Sequence, residues 1–314
     1  MKIVLGSMTF GDQVDEQNAK EMIDKFSAHG FTELDTAYVY HNGKTELLLG
    51  QINQSTGLAE LQIAGKANPS VMDGLTNASI SHQISTSLER TKLDSFDLYY
   101  LHQPDLNTDI RTTLASVFSL YREGKFKRFA LSNYAAWQVA EIVEICEQEG
   151  WMKPVVYQGM YNALTRDIER ELLNCLSNYN IGFYVYNPLA GGMLTGKHVS
   201  TQATDQPSSG RFATFAGYQD RYWKADYFSV MESICAACSA SDIEPANAAL
   251  RWLVHHSDIS NGSNNAIIIG ASRLAQFEDN LNACNDAALP DTVVAALDEG
   301  WEQVRPACIK YFRP

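Results

Sequence analysis

Positive charge is scarce in this chain, and it forms no run. The 24 Lys and Arg residues are outnumbered by 37 Asp and Glu residues, so the net charge is −13. An acidic chain without a basic patch is a poor partner for nucleic acid or for an anionic membrane. We therefore expect neither as a partner, although a few well-placed cations would still suffice to bind an anionic cofactor.

A secretory leader and long apolar runs are also missing. The first residues, MKIVLGSMTFGDQ, lack the apolar core of a signal peptide, and no stretch is apolar for long enough to span a bilayer. Six cysteines in 314 residues predict reduced thiols in a cytoplasmic protein rather than a disulfide framework. Cys235 and Cys238 form a CxxC in a helical pattern without a second Cys or His pair, so we expect no metal site.

The glycine-rich fingerprint of a dinucleotide-binding sheet is absent as well, because SMTFGDQ follows the first predicted strand without a GxGxxG. Short apolar runs instead alternate with longer segments of helical period. The predicted strands are Ile3–Ser7, Thr32–Asp35, Gln62–Lys66, Leu98–His102, Arg128–Ser132, Val155–Gln158, Gly182–Asn187 and Ala266–Gly270. The predicted helices between them are Glu16–His29, Thr45–Gln51, Ile80–Thr91, Thr108–Glu123, Trp137–Glu149 and Glu169–Tyr179.

The strand candidates are nearly continuous apolar runs, as expected for strands buried on both faces. Eight such strands with intervening helices and no linker predict an α/β fold, a single (β/α)8 TIM barrel over residues 1–314, with a doubly wound sheet as the alternative. Residues 191–222, after strand seven, are rich in Gly, Ser and Thr and poor in helical pattern, which predicts a long lid or binding loop. An extra C-terminal helix is predicted at about Asp291–Gln303.

Four polar residues lie at the predicted C-terminal ends of strands two to four: Asp35, Tyr40 just after it, Lys66 and His102. Neighbouring barrel strands are about 5 Å apart, and their C-terminal ends carry the active site, so the four side chains can converge. An ammonium beside a phenol favours the phenolate and lowers the phenol pKa, and a carboxylate keeps the ammonium charged. Each residue alone has an ordinary structural explanation, but together they favour a proton-transfer centre. In this hypothesis Tyr40 donates the proton, Lys66 tunes Tyr40, Asp35 holds Lys66, and His102 orients a carbonyl or shares the proton.

Later strand ends carry groups that suit an elongated, polar, phosphorylated ligand. Ser, Asn and Gln can bind a carboxamide, an aromatic ring can stack on a flat ring, and an Arg near a helix N-terminus can bind a phosphate. These groups are Ser132, Asn133, Gln158, Tyr186, Asn187, Lys197, Ser272, Arg273, Gln276 and Asn280.

Several long blocks of this sequence resemble the aldo-keto reductase superfamily and, within it, the aflatoxin aldehyde reductase family with its succinic semialdehyde reductase-like members. The blocks are DTAYVY, GKFKRFALSNYAAW, VYQGMYNALTR, YNPLAGGMLTGK and RYWK, and the resemblance covers nearly the whole chain. It implies a (β/α)8 barrel that binds NADPH in an extended form and reduces carbonyls. It also implies that Asp35, Tyr40, Lys66 and His102 are a catalytic tetrad in which Tyr40 is the general acid.

The resemblance further implies where the ligands bind. Its NADPH-binding positions are Asp35, Ser132, Asn133, Gln158, Tyr186, Asn187, Pro188, Leu189, Gly191, Lys197, Arg211, Gly270, Ser272, Arg273, Gln276 and Asn280. Among them, the residues of strands five and six would hold the nicotinamide carboxamide, and the last four would bind the adenosine and its 2′-phosphate. Its substrate-binding positions are Tyr40, His102, Tyr218 and Arg221. An arginine at position 221 would suit a carboxylate-bearing aldehyde.

The expected function is therefore NADPH-dependent, detoxifying reduction of small aldehydes and dicarbonyls to alcohols. The resemblance suggests dicarbonyls like aflatoxin dialdehyde, aldehydes like succinic semialdehyde, and quinones as substrates, and a homodimer as the assembly. Two alternatives stay open. One is a non-catalytic, NADPH-sensing regulatory subunit like the potassium-channel β-subunits. The other is an aldolase-type barrel with Lys66 as a Schiff-base amine, against which Asp35 argues as a permanent counter-ion.

Overall fold

Eight parallel strands close into a barrel in the computed structural model of this chain, which describes residues 1–199, 205, 207, 210–214 and 216–313. Each strand pairs with the next one along the chain, and the last pairs with the first. The strands are β1 (Lys2–Gly6), β2 (Glu33–Asp35), β3 (Gln62–Ala67), β4 (Phe96–Leu101), β5 (Phe126–Ser132), β6 (Val156–Met160), β7 (Gly182–Tyr186) and β8 (Ala266–Ile269). The predicted (β/α)8 barrel is confirmed, and the doubly wound sheet is wrong, because an open sheet would leave two unpaired edges.

Helices follow the strands and bury their apolar sides against the outside of the barrel. They are α1 (Glu16–Ala28), α2 (Lys44–Ser55), α3 (Asn77–Thr91), α4 (Ile110–Arg122), α5 (Ala136–Glu149), α6 (Leu172–Asn178), α7 (Arg211–Thr214), α8 (Ala216–Tyr222), α9 (Ala225–Ala240), α10 (Pro245–His255), α11 (Leu274–Ala283) and α12 (Asp291–Val304). Local chemistry fixes their ends. At the start of α1, for example, the Asp15 side chain accepts a hydrogen bond of 2.9 Å from the Asn18 backbone N–H.

The barrel interior changes from apolar to polar along the strands. Alternate residues of a strand point inwards, so residues two apart share the interior face. One cluster of hydrophobic residues in this interior is buried: Val4, Ala64, Leu98, Tyr100, Ala130, Val156, Tyr184, Ala266 and Ile268. Two residues further along five of the strands, the same face carries Lys66, His102, Ser132, Gln158 and Tyr186. Strand alternation therefore gathers the predicted site residues at the C-terminal end of the barrel.

The segment after β7 differs from its prediction. Residues 211–214 and 216–222 are helical, so the segment predicted as a long loop contains two short helices. These helices are only 4 and 7 residues long, too short to show a helical period in the sequence. Positions 200–204, 206, 208, 209 and 215 of the predicted loop lie outside the described residues. The extra C-terminal helix is confirmed as α12, and α9, α10 and α11 add to the helices that were predicted.

Within the described part of the chain, no helix combines the length and the apolar character needed to cross a membrane. In the same residues, no group of three or more His, Cys, Asp or Glu side chains could hold a metal ion. Cys235 and Cys238 both lie on α9, where Cys238 is buried.

Candidate active site

A buried ion pair lies at the centre of the polar end of the barrel. The Lys66 side chain is 0% exposed, and its Nζ donates to Oδ2 of Asp35 and to the Thr36 carbonyl oxygen, both at 2.6 Å. The Tyr40 hydroxyl lies 3.4 Å from the same nitrogen. An ammonium has three N–H donors, and these three partners engage all of them. Burial lowers the pKa of Lys66, and the contact with Asp35 opposes this effect. A permanent counter-ion of this kind argues against the neutral amine that the aldolase-type alternative requires.

The pKa of Tyr40 is shifted in the direction opposite to the one expected from the sequence. Burial raises this pKa well above its usual range, the negative charge of Asp35 adds to the effect, and Arg211 opposes it. The expected net lowering of this pKa by Lys66 is not found, because burial has the largest influence on it. The Tyr40 phenol is accordingly protonated at neutral pH and can act as a proton donor.

Tyr40 lies in an unusual turn between β2 and α2. The three residues after it, His41, Asn42 and Gly43, have φ values of 45°, 56° and 86°, all in the left-handed region. For a residue other than glycine this conformation costs roughly 1–2 kcal/mol, so neighbouring contacts must hold the turn. One such contact joins the His41 ring to the backbone oxygen of Met8, at 2.7 Å from Nε2.

His102 is held as a neutral hydrogen-bond donor by Asn68. The Asn68 Oδ1 accepts from the Ser70 backbone N–H at 2.9 Å, which turns its Nδ2 towards Nδ1 of His102, 3.3 Å away. Because an amide N–H can only donate, Nδ1 is the acceptor and Nε2 carries the ring proton. Burial holds the pKa of His102 well below its usual range, and the charges of Lys66 and Arg313 lower it further.

The ring of His102 meets that of Tyr40 edge to face, with centroids 6.1 Å apart. Both side chains line one cavity of about 1190 Å³ that runs from the barrel mouth to α10 and α11. Most of the predicted ligand-binding residues line the same cavity: Asp35, Ser132, Asn133, Gln158, Tyr186, Asn187, Pro188, Leu189, Gly191, Lys197, Arg211, Tyr218, Arg221, Gly270, Ser272, Gln276 and Asn280. Lys66 lies behind this wall, and the exposed Arg273 at the start of α11 is not part of it.

Buried amide and hydroxyl groups form two sets of hydrogen bonds, one to the ion pair and one around Asn133. Gln158 donates to Oδ1 of Asp35 at 2.8 Å, and the Asn133 amide donates to Ser132 Oγ and to the His102 carbonyl oxygen, both at 2.9 Å. The Tyr186 hydroxyl donates to Oδ1 of Asn133 at 2.7 Å. The first set fixes Asp35, and the second fixes the Tyr186 ring relative to the end of β5 and the His102 backbone.

The short helix α8 covers the mouth of the cavity and is anchored by Tyr222. Its buried hydroxyl accepts from the side-chain amides of Asn187 and Asn162, at 2.7 and 3.2 Å. On the cavity side, the Tyr218 ring lies between the guanidinium groups of Arg211 and Arg221, whose Cζ atoms are 5.3 and 5.0 Å from its centroid. Cations are thus concentrated on this wall of a strongly acidic protein.

Two residues at the site escaped the sequence analysis. Asn68 is two positions after Lys66 on the same strand end, so strand alternation could have placed it beside the tetrad. Arg313 lines the cavity, and its backbone N–H donates to the Asn133 carbonyl oxygen at 3.0 Å. Only the packing of the C-terminal tail brings it there, and no local pattern in the sequence signals that packing.

The model of the family described as aldo/keto reductase matches residues 2–302. This chain belongs to the aldo/keto reductase family. It is an oxidoreductase, and enzymes of this family use a nicotinamide cofactor. The resemblance found in the sequence is thereby confirmed.

Relatives match along almost the full chain. A human protein named aldo-keto reductase family 7 member A3 is 41% identical over 99% of this chain and 96% of its own length. Human aflatoxin B1 aldehyde reductase member 2 is also 41% identical, over 99% of this chain and 89% of its own length. An aldo-keto reductase of the fungus Pseudocercospora fijiensis is 38% identical, over 93% of this chain and all of its own length.

Proposed function

We propose that this protein reduces aldehydes to alcohols with NADPH, and that Tyr40 is the general acid. The observation that carries the proposal is the buried Asp35–Lys66 ion pair, whose ammonium lies 3.4 Å from the Tyr40 hydroxyl at the wall of a large cavity. A protonated phenol beside a fixed positive charge suits proton donation to a carbonyl oxygen. The names of relatives that describe aflatoxin B1 aldehyde reductases support an aldehyde as the substrate.

The shape and the donor groups of the cavity fit an extended dinucleotide. About 1190 Å³ exceeds the roughly 300–1,000 Å³ typical of drug-sized ligands, which leaves room for a cofactor and a small substrate together. When bound, the reduced nicotinamide supplies a hydride to the carbonyl carbon. We infer that its carboxamide lies against Ser132, Asn133 and Gln158.

The hydrogen bonds that Asn133 and Ser132 already make determine which side of the carboxamide each can bind. Both N–H groups of the Asn133 amide donate within the protein, so only its Oδ1 can still accept. The Ser132 Oγ accepts from Asn133, which leaves its own hydroxyl proton to donate. Asn133 would therefore bind the amino side of a carboxamide, and Ser132 its oxygen.

The phosphate groups would meet the cations and the irregular backbone after β7. Lys197 and Arg211 line the middle of the cavity, and Gly191 adopts a φ of 69° in the segment between them and β7. At the far end, Ser272, Gln276 and Asn280 would bind the adenosine. Arg273 is exposed beside that end, and we propose that its side chain turns towards the cavity to bind the 2′-phosphate of NADPH.

During the reaction the chain's own groups would handle the proton. Tyr40 donates its hydroxyl proton to the carbonyl oxygen as negative charge develops there. The Lys66 ammonium, kept charged by Asp35, then stabilises the phenolate. Neutral His102 offers its Nε2–H to the same oxygen and orients it, so both donors act without rearrangement of the site.

The cationic wall suggests aldehydes that carry a carboxylate. Arg221 and Arg313 both line the cavity, and both act on Tyr186 by opposing the rise in its pKa that burial causes. A guanidinium pairs with a carboxylate through two parallel hydrogen bonds. We propose short semialdehydes and dicarbonyls as substrates, with Arg221 as the carboxylate contact.

A cofactor-oxidation assay with a panel of aldehydes, dicarbonyls and quinones, each with NADPH and NADH, tests this function. We expect turnover of carboxylate-bearing aldehydes with NADPH, and a specific rise in KM for these substrates in Arg221→Ala. Tight retention of NADPH without turnover of any member would contradict the proposal and favour the regulatory alternative.

A further inference from the structure

Arg90 lies outside the cavity, on the side of the Tyr40 turn that faces helix α3. Its guanidinium lies over the Tyr38 ring, with Cζ 4.6 Å from the centroid, and Nη1 donates to the Tyr38 carbonyl oxygen at 3.4 Å. At the other end of the turn, a Cβ added to Gly43 would come within 2.5 Å of the same Cζ. Arg90 therefore contacts the turn on both sides of Tyr40 without contacting Tyr40 itself.

A buried carboxylate holds Arg90 in this position. Glu46, in the first turn of α2, is 0% exposed, and its Oε2 accepts from Arg90 Nη1 at 3.1 Å. Its other oxygen, Oε1, has no partner at normal hydrogen-bond geometry among the described residues. Burial raises the pKa of Glu46, and the nearby Ser87 hydroxyl and Arg90 oppose this effect. Burying a carboxylate is costly, and replacing such a pair with apolar groups is often neutral or stabilising. A contribution to stability therefore does not explain why a carboxylate is buried at position 46. We infer that the role of Glu46 is geometric: it fixes the position of Arg90.

The turn that Arg90 contacts is the part of the site most in need of support. Its three consecutive left-handed residues persist only when the surroundings fix them. The His41 contact to Met8 holds the cavity side of the turn, and Arg90 holds the opposite side. Displacement of the turn would move the Tyr40 hydroxyl away from Lys66.

We propose that Glu46 and Arg90 form a clamp, defined by these two residues, that positions Tyr40 for proton donation. Arg90 is a positioning residue, since it acts through the turn and contacts no reacting group. This inference rests on the proposed function of Tyr40, but the clamp itself is a property of the turn and can be measured apart from turnover.

The test compares Arg90→Ala, Arg90→Lys and Glu46→Gln with wild type. In Arg90→Ala we expect kcat to fall by up to about 100-fold, the loss that a misplacement of about 1 Å can cause. The KM for aldehyde and the affinity for NADPH should hardly change. Millimolar guanidinium should restore part of the lost kcat by occupying the vacated position. In Arg90→Lys the loss should persist, because an ammonium cannot stack on Tyr38 while donating to Glu46.

Hydrogen exchange provides the readout that does not depend on turnover. Backbone amides of residues 37–46 should exchange faster in Arg90→Ala, while those of the barrel strands keep their wild-type rates. Arg111→Ala is the matched control, because it removes an arginine that pairs with Glu149 at the surface. In this variant both kcat and the exchange rates of residues 37–46 should match those of wild type. If Arg90→Ala does not fold, the test uses the isosteric Glu46→Gln variant instead. In that variant we expect the same loss of kcat and the same faster exchange, both smaller in size.

Two results would overturn the clamp: wild-type exchange in residues 37–46 of the variants, or a Glu46→Gln loss of kcat larger than that of Arg90→Ala. The second would mean that Glu46 acts on Lys66 by its charge. If residues 37–46 exchange faster in the variants but the wild-type protein reduces no aldehyde, the proposed function is overturned and the clamp stands.

Discussion

At the level of single residues, the proposed tetrad depends on fixed protonation states. Asp35 keeps the fully buried Lys66 charged, burial keeps the Tyr40 phenol protonated, and Asn68 selects the His102 tautomer. An ion pair, burial and a hydrogen bond thus each set the protonation state of one of these side chains. Each can be removed separately by substitution.

Tyr40→Phe should keep the affinity for NADPH and lose most of the turnover. The hydroxyl is the proton donor in our proposal, and a positioned acid contributes roughly 10²–10⁴-fold to a rate. Cofactor binding by fluorescence titration and steady-state kcat measure the two quantities. Aldehyde reduction close to the wild-type rate would rule out Tyr40 as the acid.

Asn68→Asp should reverse the His102 tautomer. A carboxylate at this position can only accept, so Nδ1 of His102 would carry the proton and Nε2 would lose its role as a donor. We expect kcat to fall by about 100-fold or more, with unchanged cofactor affinity. Nitrogen NMR of the labelled imidazole reports the tautomer directly, and an Nε2–H signal in the variant would contradict the assignment.

Asn68 also illustrates which site residues a sequence can reveal. Asp35, Lys66 and His102 can be recognised in the sequence as polar residues at the ends of apolar strands, and the barrel brings them together as predicted. The effect of Asn68 depends on the direction in which its amide points, and Ser70 sets that direction. Arg313 depends on the path of a tail that packs far from its neighbours in the sequence.

At the level of secondary-structure elements, the strands were the predictable part. Their unbroken apolar runs reflect burial on both faces, so all eight were predicted to within a few residues. Helices α7 and α8 were missed for a physical reason. Contacts of single side chains, such as those of the Tyr222 hydroxyl, hold α8 in place, and an apolar stripe is not required.

Gly50→Ala should destabilise the protein by separating α2 from α3. A Cβ at Gly50 would collide with the Arg90 carbonyl oxygen, and overpacking of this kind costs about 1–3 kcal/mol. Urea unfolding should show a lower midpoint at an unchanged slope. Gly217→Ala in α8 is the matched control, because its added methyl meets no atom within 4 Å. Equal midpoints for the two variants would contradict the close approach of α2 and α3.

At the level of the whole molecule, stability should fall as the solution becomes acidic. The pKa of buried His102 lies well below the value of 6.5 of an unfolded chain, so unfolding takes up a proton whenever the pH is between these values. Stability from this group is complete above about pH 6.5 and falls at lower pH, by at most about 1.4 kcal/mol per pH unit.

Urea unfolding at a series of pH values measures this dependence. The wild type should lose stability between about pH 6.5 and 5, and His102→Gln should lose less over the same interval. Partly buried His198 and His256 have lowered pKa values too, so some dependence should remain in the variant. Identical slopes would show that His102 is not buried in its neutral form.

The cationic wall around Tyr218 belongs to a molecule whose net charge is −13. When a phosphorylated cofactor comes within the Debye length of the surface, about 10 Å at 0.1 M salt, it meets the repulsion of the net charge, and it meets attraction once it is inside the mouth of the cavity. Added salt should therefore speed the approach of the cofactor and, at the same time, weaken its attraction to the cationic wall. Capture of the cofactor would then be fastest at an intermediate ionic strength, a kinetic signature opposite to that of enzymes that steer anions from afar.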